Sequence, residues 1–109
     1  MKGRFHHFGV PTTAKSAKET FLEGTGAYKT DPEDHPYSVE YLRFTPNSAM
    51  PDVIKTTPHA AFIVDSIDEA MKGKQVILPP TDLPPTFKSA RVAFIRDGDA
   101  LIELMEVKS

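Results

Sequence analysis

The chain has 109 residues, a formal net charge of -2 at pH 7 and no cysteine, a length that fits about one domain. The lack of cysteine excludes disulfides, thiolate metal sites and cysteine nucleophiles. Acidic and basic residues are mixed along the chain, and the absence of a basic stripe argues against nucleic acid or a membrane surface as a partner. No apolar run approaches membrane-spanning length and the N-terminus lacks an apolar signal core, so we expect a cytoplasmic protein.

The first half of the chain begins with a strand and continues with a helical pattern. Residues 4–10 are aromatic and compatible with a β-strand, which Pro11 ends. Apolar residues recur at helical spacing between residues 13 and 23, which predicts an amphipathic helix closed by Gly24 and Gly26.

The rest of the first half is predicted to form strands joined by polar or proline-rich segments. Residues 27–30 are compatible with a short strand and residues 31–36 with a turn or loop. Residues 37–45 are rich in aromatic and β-branched side chains and predict a longer strand. The proline-rich segment 46–58 is predicted to link two halves.

The second half shows clearer patterns. A strand is predicted at residues 59–64. Ser66 and Glu69 have the spacing of a capping box, in which each side chain satisfies a backbone donor, so they mark the start of a short helix that Gly73 ends. Another strand is predicted at residues 75–78.

The end of the chain is predicted to form a β-hairpin. Strands are predicted at residues 90–96 and 100–107, because an Asp-Gly turn at residues 97–99 joins two runs rich in β-formers. Ahead of them, the proline pairs at residues 79–80 and 84–85 frame a stiff loop around Asp82.

The two halves are similar to each other, because each has a histidine-led strand and, later, a glutamate on a strand-like run. His7 and Glu40 are 33 residues apart, whereas His59 and Glu103 are 44 residues apart. The difference of 11 residues is about one strand plus a turn. We therefore predict an α+β fold with a β-α-β-β-β second module and a first module in which one strand is lacking or reduced.

The order His7, Glu40, His59, Glu103 indicates a metal site. Two imidazoles and two carboxylates could hold a divalent ion such as Zn, Ni, Co, Mn or Fe(II), and the ligand types alone do not choose among them. Glu103 stands within an apolar run, where a carboxylate without a partner is costly to bury. That cost is the physical reason to expect a function for it.

At these residues the chain resembles the vicinal oxygen chelate superfamily, which includes glyoxalase I, methylmalonyl-CoA epimerase, extradiol dioxygenases and fosfomycin or bleomycin resistance proteins. The matching segments are His7-Phe8-Gly9-Val10, His59 to Val64 with Ser66 to Ala70, and Asp97 to Leu104. The resemblance implies paired βαβββ modules, residues 1–57 and 58–109 of one domain, in a curled mixed sheet that forms a cup around a metal. It also implies that modules pair within one chain or across a dimer, and we expect a homodimer.

The resemblance also implies the site residues and the reaction. The family's metal positions fall on His7, Glu40, His59 and Glu103, and His7 is preferred over His6 because Phe-Gly-Val follows it. Either glutamate could leave the metal and act as the catalytic base. The implied activity is that of a metal-dependent isomerase or lyase on a small α-oxygenated substrate or thioester, as in lactoylglutathione lyase.

Each candidate residue has a structural alternative. His59 and Glu103 could be a hydrogen-bonded polar pair in an inert cup, His7 a partly exposed strand histidine, and Glu40 the partner of Arg43 or of another cross-strand cation. His6 and His35 are interpreted as surface residues, and Glu106 as a solvated residue at a strand end. The loop from Pro79 to Pro85 is either a rigid connector or a pocket rim, with Phe87, Lys88 and Arg91 near the substrate.

Two other functions compete with the enzyme. A non-catalytic small-molecule binding protein of the resistance type would show a dry aromatic cleft formed by Phe5, Tyr41 and Phe62. A structural or regulatory dimer that has lost its site would show Glu40 pointing to solvent.

Overall fold

A computed structural model describes residues 2–84 and 89–107, without the side chains of residues 89 and 90. The chain divides into two compact units. One unit is His7–His59, and the other consists of Met1–His6 with Ala60–Ser109. We refer to them as the first unit and the second unit.

The described residues form eight strands and a few short helices. In chain order the elements are β1 (Arg4–Pro11), β2 (Thr20–Leu22), β3 (Ala27–Lys29), a 3-10 helix (Pro32–Asp34), β4 (Val39–Phe44), α1 (Asp52–Thr56), β5 (His59–Ile63), α2 (Ile67–Met71), β6 (Gln75–Asp82), β7 (Ser89–Asp97) and β8 (Ala100–Val107). Parallel and antiparallel strand pairs both occur, which confirms the predicted α+β class with a mixed sheet.

In the first unit the strands follow the order β2-β3-β4-β1. Strands β1 and β4 are parallel, and Gly9 lies opposite Glu40. The other two pairs are antiparallel hairpin or meander pairs. The predicted strands at residues 4–10, 27–30 and 37–45 are therefore confirmed.

The predicted helix at residues 13–23 is wrong. Residues 12–19 form turns and irregular backbone, and strand β2 follows. The apolar pattern rested on Ala14, Ala17 and Phe21, all of which are exposed, so the small side chains bury too little area to hold a helix. Gly24 and Gly26, both with positive φ, form the β2–β3 turn instead of a helix end.

The first module keeps its full number of strands but reduces two of them. Strands β2 and β3 have three residues each, whereas their counterparts β6 and β7 have eight and nine. The prediction that a strand is reduced is thus confirmed, and the module also lacks its helix. The segment predicted as a linker contains α1, whose Ile54 is buried.

In the second unit the strands follow the order β5-β8-β7-β6. Strands β5 and β8 are parallel, with Ala61 opposite Glu103. The β7–β8 hairpin turns at Gly98, whose positive φ fits the predicted Asp-Gly turn. The core forms where α2 packs on the strands, with Val64, Ile67, Ala93, Ile95 and Leu104 as its buried residues.

The start of α2 is capped from two directions. The Ser66 hydroxyl oxygen accepts the backbone N–H of Glu69, as the capping box predicts, while the Glu69 carboxylate pairs with Lys72. The Glu106 carboxylate accepts the N–H of Ile67 at 2.6 Å. The interpretation of Glu106 as a solvated strand-end residue is therefore wrong, because its carboxylate accepts a backbone N–H at the start of α2 that has no partner within the helix.

The predicted loop around Asp82 is wrong in its first part. Strand β6 continues through Pro79 and Pro80 to Asp82, with register shifts against β7. Strand β6 is last in the strand order, and an edge position tolerates prolines because they need donate no ladder hydrogen bond there. Phe87 and Lys88 lie outside the described residues.

Candidate metal centre

His7 and His59 form the centre of the candidate site in the first unit. Each of the two residues is 2% exposed, and the two imidazole rings meet edge to face with centroids 5.9 Å apart. The alternative of a partly exposed strand histidine at His7 is therefore wrong. Burying two imidazoles side by side is costly for a protein unless something engages them.

Gly9 makes the space that the His59 ring occupies. A Cβ built on Gly9 would lie 2.1 Å from Cε1 and 2.3 Å from Nε2 of His59, far closer than atoms approach in proteins. The glycine is therefore needed for close approach and not for an unusual backbone angle. This observation gives Gly9, which the sequence showed only as part of a motif, a direct structural role.

Glu40 is buried on β4, opposite Gly9 of β1. Its residue exposure is 8%, its Oε1 atom lies 3.5 Å from Nε2 of His7, and its Oε2 atom lies 3.5 Å from Nζ of Lys29. The predicted alternative of a cross-strand cation is thus present in the form of Lys29, a residue that the sequence reasoning missed. The sequence predicts β3 only as a short strand and does not predict its register against β4, so it does not predict this contact of Lys29.

Arg43 is not the partner of Glu40. Its guanidinium forms a two-point contact with the carboxylate of Glu19 and stacks over the ring of Tyr28, 4.4 Å from the centroid. The hydrogen bond from Arg43 holds the pKa of Glu19 below its ordinary value of 4.5, and the same bond raises the pKa of Arg43. Strand alternation puts Arg43 and Glu40 on opposite faces of β4.

Glu103 occupies the matching position in the second unit. It lies on β8 opposite Ala61 of β5 and Phe94 of β7, with 9% exposure. Its neighbours along the strand face, Leu101 and Met105, are buried and apolar. The Glu103 carboxylate is therefore buried among apolar side chains, as the sequence predicts, and its burial without a partner would be costly.

The two glutamates have the same register relative to the two histidines. Gly9, which lies opposite Glu40, comes two residues after His7. Ala61, which lies opposite Glu103, comes two residues after His59. The register of Glu40 in the shortened module therefore matches that of Glu103. Two imidazoles and two carboxylates are a nitrogen and oxygen donor set suited to a divalent transition metal.

The other described sequence candidates are His6, His35 and Arg91. His6 and His35 are half-buried, and the Nδ1 atom of His35 accepts the backbone N–H of Tyr37. Arg91 lies near both Asp82 and Glu106, at 3.7 Å from each carboxylate, so its side chain takes part in the ion pairs beside α2.

Among the described residues, no helix is long and apolar enough to cross a membrane. No family model matches the sequence, and no curated protein matches it.

Solved structures do match. The hypothetical protein BH1468 from Bacillus halodurans C-125 aligns with 100% of this chain and 97% of its own, at a TM-score of 0.71 and 21% identity. Methylmalonyl-CoA epimerase from Mycobacterium tuberculosis aligns with 97% of this chain and 89% of its own, at a TM-score of 0.55 and 16% identity. At these identities the likeness concerns the fold, and it confirms the predicted resemblance to the vicinal oxygen chelate fold.

Proposed function

We propose that this protein is a metal-dependent isomerase or lyase in which His7, Glu40, His59 and Glu103 hold one divalent metal ion. Zn, Ni, Co, Mn and Fe(II) all accept this mixture of imidazole and carboxylate ligands. The proposal further takes residues 1–109 as a single domain made of two modules, in a cytoplasmic homodimer.

The observation that carries the proposal is the repeated register. His59 begins β5, and the same strand pairs in parallel with β8. Because side chains alternate along a strand, His59 shares a face with Ala61, and therefore with Glu103 opposite it. The relation of His7 to Glu40 repeats this arrangement, which supports two equivalent His-Glu pairs contributing to one site.

The burial of the donor set suits chemistry on a carbon acid. A bound divalent metal would act as a Lewis acid toward two adjacent substrate oxygens. The buried imidazoles of His7 and His59 would serve as neutral nitrogen ligands. Glu40 or Glu103 would accept the proton from the carbon beside the carbonyl and return it, which moves the proton without a net change in oxidation state.

The proposed substrates are small α-oxygenated compounds or thioesters. The name of the epimerase among the structural matches supports a thioester whose α-carbon exchanges its proton. A lactoylglutathione lyase-like reaction, in which a proton moves between adjacent carbons of a hemithioacetal, uses the same groups. Both reactions need one base next to a polarised carbonyl.

Metal analysis of protein purified without a tag tests the proposal. We expect about one divalent ion per chain, and loss of that ion in His59→Ala but not in the control His35→Ala. Exchange of the α-proton for deuterium in methylmalonyl-CoA and in a glutathione hemithioacetal, followed by NMR, then tests the reaction. The proposal fails if no stoichiometric metal binds and His59→Ala changes neither metal content nor exchange.

A non-catalytic binding protein is the second candidate. In the second unit the rings of Phe5 and Phe62 meet edge to face at 5.9 Å, and Phe5 is exposed, which supports an aromatic contact surface for a planar ligand. Tyr41, the third predicted cleft residue, lies on the face of β4 opposite Glu40. Tight binding of an aromatic ligand by protein without metal, together with no proton exchange, would favour this function.

The burial of Glu40 argues against a dimer that has lost its site. That function would leave Glu40 directed at solvent, whereas its side chain is 11% exposed and faces His7 and Lys29.

A further inference from the structure

The carboxylate of Glu40 is held from two sides, one oxygen on each. Oε1 faces Nε2 of His7 and Oε2 faces Nζ of Lys29, each at 3.5 Å. The Lys29 side chain is 22% exposed, so most of its aliphatic stem is covered while the ammonium group reaches Glu40. Such a pair differs from the fully solvated ion pairs that contribute little to structure.

The sheet register explains why Lys29 reaches this carboxylate. Lys29 lies opposite Leu42 on the neighbouring strand, and Leu42 shares a strand face with Glu40 two residues earlier. Lys29 is therefore the diagonal cross-strand neighbour of Glu40, within reach of a long side chain. The contact follows from the register of β3 against β4.

We infer that Lys29 is a positioning residue that fixes the carboxylate of Glu40 in its orientation toward His7. The inference rests on the proposed function for the purpose of this arrangement.

The test compares Lys29→Met with Lys29→Arg, which keeps the charge, and with the control Lys74→Met, which removes an exposed lysine paired with Asp97. The first readout is the ¹³C resonance of the Glu40 side-chain carboxyl in metal-free protein, assigned with Glu40→Gln. We expect Lys29→Met to displace this resonance, Lys29→Arg to restore it in part, and Lys74→Met to leave it unchanged.

The second readout is the visible spectrum and the affinity of bound Co²⁺. Lys29→Met should alter the spectrum and weaken Co²⁺ binding by about 10–100-fold, as loss of a group that orients a ligand does, and Lys29→Arg should recover most of the affinity. Should Lys29→Met fold poorly, Lys29→Gln, which retains a polar group, takes its place in both measurements.

The two hypotheses fail in different ways. If the Glu40 resonance and the Co²⁺ spectrum of Lys29→Met both equal those of wild type, Lys29 does not position Glu40, whatever the metal does. If wild-type protein binds no Co²⁺, the proposed function fails, and the metal-free resonance alone decides the role of Lys29.

Discussion

Replacing Gly9 by alanine is the sharpest perturbation of the candidate site, because it adds one methyl group where the His59 ring lies. The new Cβ would be 2.1 Å from Cε1 of His59, whereas ordinary contact begins at 3.4 Å. The ring or the strand must therefore shift by about 1.3 Å, the difference between these two distances. The nearest atoms to the new Cβ all belong to the His59 ring, so we expect the ring to move.

The cost in stability should be modest. Overpacking a filled site costs about 1–3 kcal/mol, and replacing a strand glycine by alanine returns about 0.5–1 kcal/mol. The net loss is then between about zero and 2.5 kcal/mol, so the protein should remain folded. Activity and metal binding should suffer far more, because a misplacement of about 1 Å costs on the order of 100-fold in a positioned site.

The assay is the affinity for Co²⁺ or Zn²⁺ in a competition titration, together with the ¹H–¹⁵N spectrum of the His59 ring. Gly24→Ala is the matched control, since nothing lies within 4 Å of its added methyl group and its positive φ costs stability at a distance from the site. Metal affinity and His59 resonances equal to wild type in Gly9→Ala would refute the reasoning about close approach.

Three further predictions concern metal binding, the helix cap and pH. Metal at about 100 times its Kd should stabilise the fold by about 2.7 kcal/mol, seen as a rise in Tm of roughly 10 °C that a chelator reverses; an unchanged Tm would contradict a metal site. Glu106→Ala should lower the free energy of unfolding in urea by about 0.5–2 kcal/mol through loss of the cap on Ile67, whereas Glu106→Gln keeps an acceptor and should lose less. Because Arg43 lowers the pKa of Glu19 in the folded state, their pair contributes stability above the ordinary pKa of 4.5 that is lost as pH falls through the lowered value. The stability difference between wild type and Arg43→Met, measured by denaturant titration, should therefore shrink in acid, and a difference independent of pH would argue against this linkage.

The sequence determined most of the strands and singled out the candidate site residues. Periodicity and turn chemistry predicted β1, β4, β5, β7 and β8, because their alternating or β-branched runs and the Asp-Gly turn act locally. The capping box predicted the start of α2 for the same reason, since it depends on residues three apart. His7, Glu40, His59 and Glu103 stood out as polar residues in strand-like runs, and all four are buried.

Tertiary structure decided what local patterns could not. The helical pattern at residues 13–23 failed because its apolar residues remain exposed, and Phe21 instead packs on the ring of Tyr28 in the β2–β3 pair. The register of Glu40, the contact of Lys29 with its carboxylate and the space that Gly9 leaves for His59 depend on which strands pair and at which residue. A shift of one residue would turn every side chain to the other face, so these relations exist only once the strands are paired, whereas the candidate site residues themselves could be predicted from the chain.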